Sequence, residues 1–390
     1  MLTDLLKPIT SSPARRRVTV GDVVFGGPAV PVIAGPCAVE PGYVDHALAM
    51  QQAGASMLRA SIFKPRTRPD AFQGMGEEGL VLVEKARALT GRPILVEPLS
   101  VEHVEMLTGR VDAFMIGARS MQNTPLLRAA GRSGLPVVLK RGMAATYDEW
   151  LAAAEYVLAE GNPQVILCER GIRTFETATR NTLDVSAVPV LRERTPLPVI
   201  VDPSHAAGRA DWVPALALAA VAAGADGLLI ESHPVPAESW SDAAQAITPE
   251  TLEAIIAGAA VLAPMLRGHQ AAELAEHRQI IDSLDLALGA VLQSRAGAVD
   301  AVQRDKRRSG LTVRDRGREQ EVIAHVASRV PRLSAEAVGR VMTAVIDGCV
   351  EASERSADAV SAVMTAVIDG CVEAAERSAA AELKGGTIPA

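Results

Sequence analysis

Short aliphatic runs alternate with stretches of helical periodicity from residue 31 to about residue 266. The runs are continuous rather than alternating, which is typical of parallel strands that are buried on both faces. They cover residues 31–35, 56–61, 93–99, 113–118, 136–142, 164–171, 198–205 and 227–234, with helical segments such as 76–90, 146–161 and 212–224 between them. Eight such units predict an α/β fold of the (β/α)8 TIM barrel type. The alternative, a doubly wound open sheet, is disfavoured because no Gly-rich dinucleotide fingerprint follows the first strand.

The pattern changes on both sides of this region. Residues before the first strand include VTVGDVVFGG, which predicts a small hairpin that seals one end of the barrel. After Pro264 strands give way to helical periodicity, and three helices are predicted at roughly 268–308, 316–329 and 334–380. We therefore expect an N-terminal arm over 1–30, a barrel over 31–266 and a C-terminal all-α helical domain over 267–390.

A tandem duplication lies in the last predicted helix. Residues 341–357 recur as residues 363–379, and only Ser353 and Ala375 differ. The offset of 22 residues is close to six helical turns, so the duplicated stretch could extend one helix while keeping nearly the same face. A single pair is too short for a solenoid, and the sequence assigns this duplication no role.

Composition and charge limit the function classes. Hydrophobic residues make up 48% of the 390 residues and charged residues 22%, which suits a large core and excludes wholesale disorder. Aromatic residues are only 3%, so base-stacking platforms for single-stranded nucleic acid are not expected. The net charge of −7 disfavours a general polyanion binder, so we expect no nucleic-acid partner and only local anion sites.

Cysteine usage and hydropathy point to a soluble, cytoplasmic protein without a membrane partner. The four cysteines are too few and too scattered for a disulfide framework. The apolar runs are interrupted before they reach membrane-spanning length. The N-terminal segment lacks the apolar region of a signal peptide.

Cationic residues cluster at the ends of the predicted strands, where barrels of this type place their active sites. They are Arg59, Lys64, Arg66, Arg119, Lys140, Arg141 and Arg170. One such residue alone is more often part of a rim salt bridge than a ligand. Many converging cations with few carboxylates would be costly unless a polyanion fills the space, so the set indicates a site for phosphate and carboxylate groups.

A second set of strand-end residues mixes sulfur, nitrogen and oxygen donors. Its members are Cys37, His205, Glu231 and Asp242. Taken singly, Cys37 fits a buried core thiol and His205 a hydrogen-bonded loop histidine. Together the four suit a divalent transition metal, and we expect one ion per barrel such as Mn, Fe, Co or Zn. His233, two residues after Glu231, is a competing ligand that stays open here.

Several motifs carry a family resemblance. The stretches AGPCAVE, LRASIFKPRT, FQGMGEEGL, IGAR, VVLKRG, LCERGIRTFETATRNTLD and VDPSHAAGR resemble type I 3-deoxy-D-arabino-heptulosonate-7-phosphate (DAHP) synthases of the short microbial branch. The resemblance extends from about residue 18 to residue 266. KPRT, residues 64–67, separates it from the 3-deoxy-octulosonate 8-phosphate synthases, the alternative on the same fold.

This resemblance implies a metal-dependent condensation of phosphoenolpyruvate with erythrose 4-phosphate, the first step of the shikimate pathway of aromatic amino acid biosynthesis. Phosphoenolpyruvate would be held by Arg59, Lys64, Arg119, Lys140 and Arg170. Erythrose 4-phosphate would lie against Lys64, Pro65, Arg66 and Thr67. The metal ligands would be Cys37, His205, Glu231 and Asp242. Catalytic roles would fall to Lys64, Cys37 and His205, with Lys64 donating a proton to the new alkoxide.

The start of the helical domain carries a second resemblance. Residues 277–319 resemble the first two helices of all-helical chorismate mutases, and the similarity covers roughly 267–355. It implies that chorismate or prephenate would be bound by Arg278, Arg295, Lys306, Asp315, Arg318 and Glu319. Arg295 and Lys306 are 11 residues apart and share one helix face, whereas Arg278 lies about 100° around the helix from Arg295. In that family this arginine crosses to a partner chain, so we expect a homodimer or homotetramer formed through the barrels and the mutase-like helices.

The third helix departs from the mutase pattern. Where mutases carry a Ser and a Gln or Glu four residues apart, this chain offers Cys349 and Ser353. Two hypotheses therefore stay open. The chain is either a bifunctional enzyme that also isomerises chorismate to prephenate, or a synthase whose tail only binds chorismate or prephenate for allosteric regulation and dimerisation.

Overall fold

A computed structural model describes residues 15–66, 68, 70–266, 274–312, 314–354 and 369 of the chain. Its contacts divide the chain into two compact units, Met1–Leu284 and Asp285–Ala390.

The first unit is a barrel preceded by a hairpin. The hairpin pairs β1 (Val18–Val20) with β2 (Val23–Phe25) in antiparallel fashion. The barrel strands are β3 (Val32–Gly35), β4 (Met57–Arg59), β5 (Ile94–Val96), β6 (Ala113–Ile116), β7 (Val137–Lys140), β8 (Val165–Glu169), β9 (Val199–Val201) and β10 (Leu228–Glu231). All eight are parallel, and β10 pairs with β3 to close the barrel, so the predicted fold is confirmed. Each strand lies inside its predicted run, and most runs extend beyond the strand into the loop at its carboxyl end.

Helices follow the strands along the chain. They are α1 (Tyr43–Gln52), α2 (Gly76–Thr90), α3 (Val101–Leu107), α4 (Thr124–Arg132), α5 (Tyr147–Leu158), α6 (Ala187–Arg194), α7 (Pro203–Ala207), α8 (Val213–Ala222) and α9 (Pro249–Leu266), with 3-10 turns at Ala118–Ser120, Ala210–Trp212, Pro236–Glu238 and Ala243–Gln245. Local sequence explains where α5 begins: Thr146 and Glu149 form a reciprocal capping box.

The barrel interior is packed with aliphatic side chains that continue into the hairpin. Phe25, Ile33, Met57, Ile166 and Ile200 belong to one buried cluster. Gly227 makes room for this plug, since a Cβ there would lie 3.0 Å from Phe25 and from Ile200. The hairpin therefore closes the amino-terminal end of the barrel and leaves the carboxyl end for the site.

One described helix, α9, is long and apolar enough by length and composition to cross a membrane. Its Leu252, Ile255, Ala259 and Ala263 are buried in the barrel core. We therefore describe it as a core helix of the barrel.

The helical domain contains α10 (Leu274–Arg308), α11 (Arg316–Ala327) and α12 (Ala335–Glu354). Within the second unit, Leu292 of α10 packs against Val345 and Cys349 of α12. Asp315 caps α11 by accepting a hydrogen bond from the Arg318 amide. The described part of the third helix ends at Glu354, so the second copy of the duplication lies outside the described residues apart from Asp369.

Candidate active site

A cavity of about 490 Å³ opens at the carboxyl ends of the barrel strands. Its cationic lining residues are Arg59, Lys64, Arg66, Arg68, Arg119, Lys140, Arg170, Arg173 and Arg180. Among the described residues only two carboxylates, Glu97 and Asp242, share this lining. A cavity with so strong a positive excess is suited to an anionic ligand.

The four sulfur, nitrogen and oxygen donors converge beside the cavity, since one ligand atom of each lies within 4.8 Å of the others. Cys37 follows β3, His205 lies in α7, Glu231 ends β10, and Asp242 lies in the loop before α9. Cys37 Sγ is 2.9 Å from Asp242 Oδ2, and His205 Nε2 is 3.4 Å from Glu231 Oε1. Buried Glu231 Oε1 accepts no well-directed hydrogen bond, and its charge is balanced by Arg59 Nη1 at 3.0 Å. This donor set fits a divalent transition metal.

Burial sets the protonation of these donors. It raises the pKa of the Cys37 thiol to about 12, and Glu231 adds to the effect. It lowers the pKa of His205 to about 4, so the imidazole is neutral at neutral pH and keeps a lone pair for a metal. Burial also opposes ionisation of Glu231, but the Arg59 guanidinium, 3.0 Å from Oε1, helps to outweigh it, so the pKa of that carboxyl is lowered. The thiol is therefore the one donor that would have to release a proton when a metal binds.

A buried carboxylate fixes the orientation of His205. Asp202 Oδ2 lies 2.7 Å from His205 Nδ1 and 2.7 Å from Lys140 Nζ. Proximity to the carboxylate places the His205 proton on Nδ1, so Nε2 is the nitrogen that faces Glu231. The sequence showed Asp202 at the end of a strand but assigned it no role; its position three residues before His205 was the available signal.

Glu231 and Asp242 are linked through two further residues that the sequence did not single out. Gln245 Nε2 donates to Glu231 Oε2 at 2.6 Å. Arg180 Nη1 donates to Gln245 Oε1 at 2.8 Å and lies 3.3 Å from Asp242 Oδ1. Arg180 belongs to the ATRN stretch of a motif quoted above, whereas Gln245 has no sequence signal beyond its closeness to Asp242.

Lys64 contacts the four-donor cluster and also belongs to the cationic lining of the cavity. Its Nζ lies 2.9 Å from both the carbonyl oxygen and the Sγ of Cys37. Burial disfavours the charged amine, but nearby carboxylates such as Glu97 favour it, and the pKa of Lys64 is raised. Lys64 is therefore an ammonium that can give up a proton to a stronger base.

The other cationic side chains of the cavity differ in whether they have hydrogen-bond partners within the protein. Arg59 Nε and Arg170 Nη1 are buried without a hydrogen-bond partner, and burial lowers the pKa of Arg170. Arg66, by contrast, donates from Nη2 to Ser241 Oγ at 2.7 Å. Arg119 Nη1 reaches the carbonyl oxygen of Pro65 at 3.4 Å. Thr67 lies outside the described residues.

Two strand-end residues that the sequence singled out lie outside the cavity lining and the four-donor cluster. Arg141 is 3.0 Å from Glu169 Oε2 and 2.8 Å from Asp184 Oδ2, and it does not line the cavity. His233 belongs to a separate cluster with Glu40 and His46 rather than to the four-donor set.

The predicted site residues of the helical domain lie on α10 and at the start of α11. Arg278, Arg295 and Lys306 lie on α10, and Arg295 Nη1 reaches the carbonyl oxygen of Val345 at 3.4 Å. Arg318 Nη1 lies 3.0 Å from Glu321 Oε2.

Glu319 has a partner that the sequence did not single out. Arg314 donates to its carboxylate at 2.9 and 3.0 Å. The same guanidinium lies 2.7 Å from Asp347 Oδ1 and so ties α11 to α12.

Family models match both parts of the chain. The model described as the DAHP synthetase I family covers residues 11–261, and the one described as chorismate mutase type II covers residues 277–354.

Similar proteins agree with the first of these matches. A phospho-2-dehydro-3-deoxyheptonate aldolase of Thermotoga maritima is 44% identical over 241 residues, which is 61% of this chain and 71% of the relative. A 2-dehydro-3-deoxyphosphooctonate aldolase of Syntrophotalea carbinolica is 35% identical over 249 residues, which is 58% of this chain and 89% of the relative. The crystal structure of the Thermotoga maritima DAHP synthase superposes with a TM-score of 0.61 at 42% identity, covering 63% of this chain and 74% of that one. The chain therefore belongs to the DAHP synthetase I family, with a chorismate mutase type II domain after its barrel.

Proposed function

We propose that the barrel condenses phosphoenolpyruvate with erythrose 4-phosphate to give DAHP and inorganic phosphate. The observation that carries this proposal is the cavity of about 490 Å³, in which cations outnumber carboxylates and which shares His205 and Asp242 with the four-donor cluster. The two substrates together bring two phosphoryl groups and one carboxylate. That anionic load matches the positive excess of the lining.

Phosphoenolpyruvate would occupy the inner group of cations: Arg59, Lys64, Arg119, Lys140 and Arg170. The unpartnered Arg59 Nε and Arg170 Nη1 support this placement, because a buried donor without an acceptor is costly unless a ligand supplies one. Erythrose 4-phosphate would lie against Lys64, Pro65, Arg66 and Thr67, with its phosphate near Arg66 and Thr67.

The reaction joins the methylene carbon of phosphoenolpyruvate to the aldehyde carbon, adds the elements of water and releases phosphate. A divalent metal ion held by Cys37, His205, Glu231 and Asp242 would act as a Lewis acid for the aldehyde oxygen. Lys64 would donate a proton to the new alkoxide, since its ammonium lies beside Cys37 and also lines the cavity. Arginine and lysine side chains would stabilise the charge that develops on the phosphoryl groups.

The test is phosphate release measured with two aldehyde substrates. Metal-loaded enzyme should release phosphate from phosphoenolpyruvate with erythrose 4-phosphate but not with arabinose 5-phosphate. Chelation should abolish the activity, and a divalent metal should restore it. Loaded enzyme that is inactive with erythrose 4-phosphate contradicts the proposal, and a preference for arabinose 5-phosphate favours octulosonate-phosphate synthesis instead.

We propose chorismate-to-prephenate isomerisation as the second activity, because the mutase family model matches 277–354 and α10 carries Arg278, Arg295 and Lys306. Such a rearrangement needs no acid–base group; its cations would hold the dicarboxylate in a compact conformation. The alternative is a tail that only binds chorismate or prephenate and regulates the barrel. In either case we propose a soluble, cytoplasmic homodimer or homotetramer.

Two measurements distinguish these roles for the tail. Loss of chorismate should be seen with the full chain and should fall in Arg295→Ala. Unchanged chorismate combined with inhibition of the synthase by prephenate favours the regulatory role. That inhibition should disappear in a chain that stops after Leu266, the end of α9.

A further inference from the structure

The loop between β10 and α9 carries one of the four donors in a restricted conformation. Asp242 has φ 55°, the one positive φ outside glycine among the described residues. Aspartate tolerates this region better than most residues, but the conformation persists only where surrounding contacts hold it. The contacts that hold this loop therefore determine where the Asp242 carboxylate lies.

Glu40 supplies two of these contacts from the opposite side of the site. Its Oε1 lies 2.7 Å from His233 Nε2, at the start of the loop. Its Oε2 accepts a hydrogen bond from the Trp240 amide at 2.8 Å, two residues before Asp242. Glu40 and His233 are both 2% exposed, so these bonds are shielded from water.

The hydrogen bonds of His233 define its tautomer. Its Nδ1 accepts from the Val235 amide at 3.0 Å, so the proton of the neutral ring lies on Nε2 and is donated to Glu40. Its own backbone amide donates to the Ile247 carbonyl at 2.9 Å, near the far end of the loop. The Glu40–His233 pair thus connects both ends of the loop to the segment after β3.

That segment also carries Cys37, three residues before Glu40. Cys37 and Asp242 are 205 residues apart in sequence, yet their side chains are 2.9 Å apart. A contact that joins the Cys37 segment to the Asp242 loop therefore sets the separation of two of the four donors.

We infer that Glu40, with His233, is a positioning residue. It holds the Asp242 carboxylate at the distance from Cys37 Sγ that metal binding requires. The inference rests on the metal site of the proposed function. Outer contacts of this kind are worth about 10- to 100-fold in metal affinity. Among the described residues, no hydrogen bond or ion pair joins Glu40 or His233 to the cations proposed for phosphoenolpyruvate, so substrate binding by the loaded enzyme should change little.

Another interpretation of the same residues is a second metal site, because ligand atoms of Glu40, His46 and His233 lie within 4.8 Å of one another. The hydrogen bonds argue against it. His233 Nε2 is protonated toward Glu40, and the second oxygen of Glu40 is already occupied by the Trp240 amide.

The test is titration of the apoenzyme with Co²⁺, followed through the thiolate-to-cobalt absorption band and, separately, through bound cobalt per chain. The band reports on Cys37 directly, and a Cys37→Ala variant supplies its blank. Glu40→Ala should raise the Co²⁺ dissociation constant by about 10- to 100-fold. Glu40→Gln should give a smaller rise, since an amide oxygen can still accept one of the two hydrogen bonds. KM for phosphoenolpyruvate at saturating metal should stay at the wild-type value.

Val157→Ala is the matched control for general destabilisation. Val157 is buried in α5, outside the loops of the site, and its truncation should lower stability but leave cobalt affinity unchanged. Wild-type affinity in Glu40→Ala, or an equal loss in Val157→Ala, would overturn the inference. So would a second cobalt ion per chain that disappears in His46→Ala. Failure of the wild-type chain to bind cobalt at all refutes instead the metal site of the proposed function.

Discussion

The contact between Asp202 and His205 offers a direct test of how the site is organised. Asp202→Asn keeps the size of the side chain and the ability to cap α7, because asparagine caps helices as well as aspartate does. It removes the negative charge that holds the proton on His205 Nδ1. We expect weaker metal binding without loss of the fold.

The expected loss of metal affinity in Asp202→Asn follows from the geometry of this contact. Asp202 is fully buried, and its Oδ2 lies 2.7 Å from His205 Nδ1. A hydrogen bond to a charged group contributes about 1.5–3 kcal/mol. At about 1.4 kcal/mol per factor of ten, losing it should weaken metal binding by roughly 10- to 100-fold.

The assay is competition for metal between the enzyme and a chelator of known affinity. Asp226→Asn is the control, since Asp226 is equally buried but lies before β10, at the opposite end of the barrel, where it accepts a hydrogen bond from the Val199 amide. Asp226→Asn should lower stability and leave metal affinity unchanged. Metal affinity at the wild-type level in Asp202→Asn, together with lost activity, would refute the role of Asp202 in orienting His205.

Three further changes test other parts of the barrel. Arg66→Ala should raise KM for erythrose 4-phosphate at least about tenfold in steady-state kinetics, since a charged hydrogen bond contributes about 1.5–3 kcal/mol; a comparable rise for phosphoenolpyruvate would contradict the assignment. Burial opposes ionisation of Asp184, but hydrogen bonds from Ser186, Tyr147 and Arg141 lower its pKa. Its contribution to stability is therefore present above the unfolded pKa of about 4 and is lost as the pH falls through the folded value. Asp184→Asn should accordingly be less stable than wild type at neutral pH in denaturant titrations, with a gap that narrows as the pH falls below about 4; a gap independent of pH would count against this reasoning. Thr146→Ala should cost about 1 kcal/mol of unfolding free energy through loss of the α5 cap, with unchanged KM values.

Much of the fold could be predicted because its pattern is local. A parallel strand buried on both faces needs a continuous aliphatic run, and stretches such as VVLK and VILCE show that run directly. The barrel then brings the carboxyl ends of all strands to one rim. For this reason Arg59, Lys140 and Glu231 could be chosen as candidate site residues from their strand positions alone.

The hydrogen bonds that organise the site depended on the tertiary structure. Glu40 and the Trp240 amide are 200 residues apart in sequence, and neither has a local pattern that predicts the other. Sequence spacing likewise could not decide whether His233 is a metal ligand alongside Asp242. No sequence pattern predicted the hydrogen bond from Gln245 to Glu231.

The difference between the predictable barrel and the unpredicted hydrogen bonds has a physical cause. Burial of a strand or a helix face is repeated along the chain and leaves a period that the sequence displays. The direction of a side-chain hydrogen bond, such as that between Asp202 and His205, depends on where closure of the barrel places each backbone segment. Sequence patterns therefore predict the barrel and the residue types at its rim, whereas the pairing of the donors with one another depends on how the closed barrel arranges its loops.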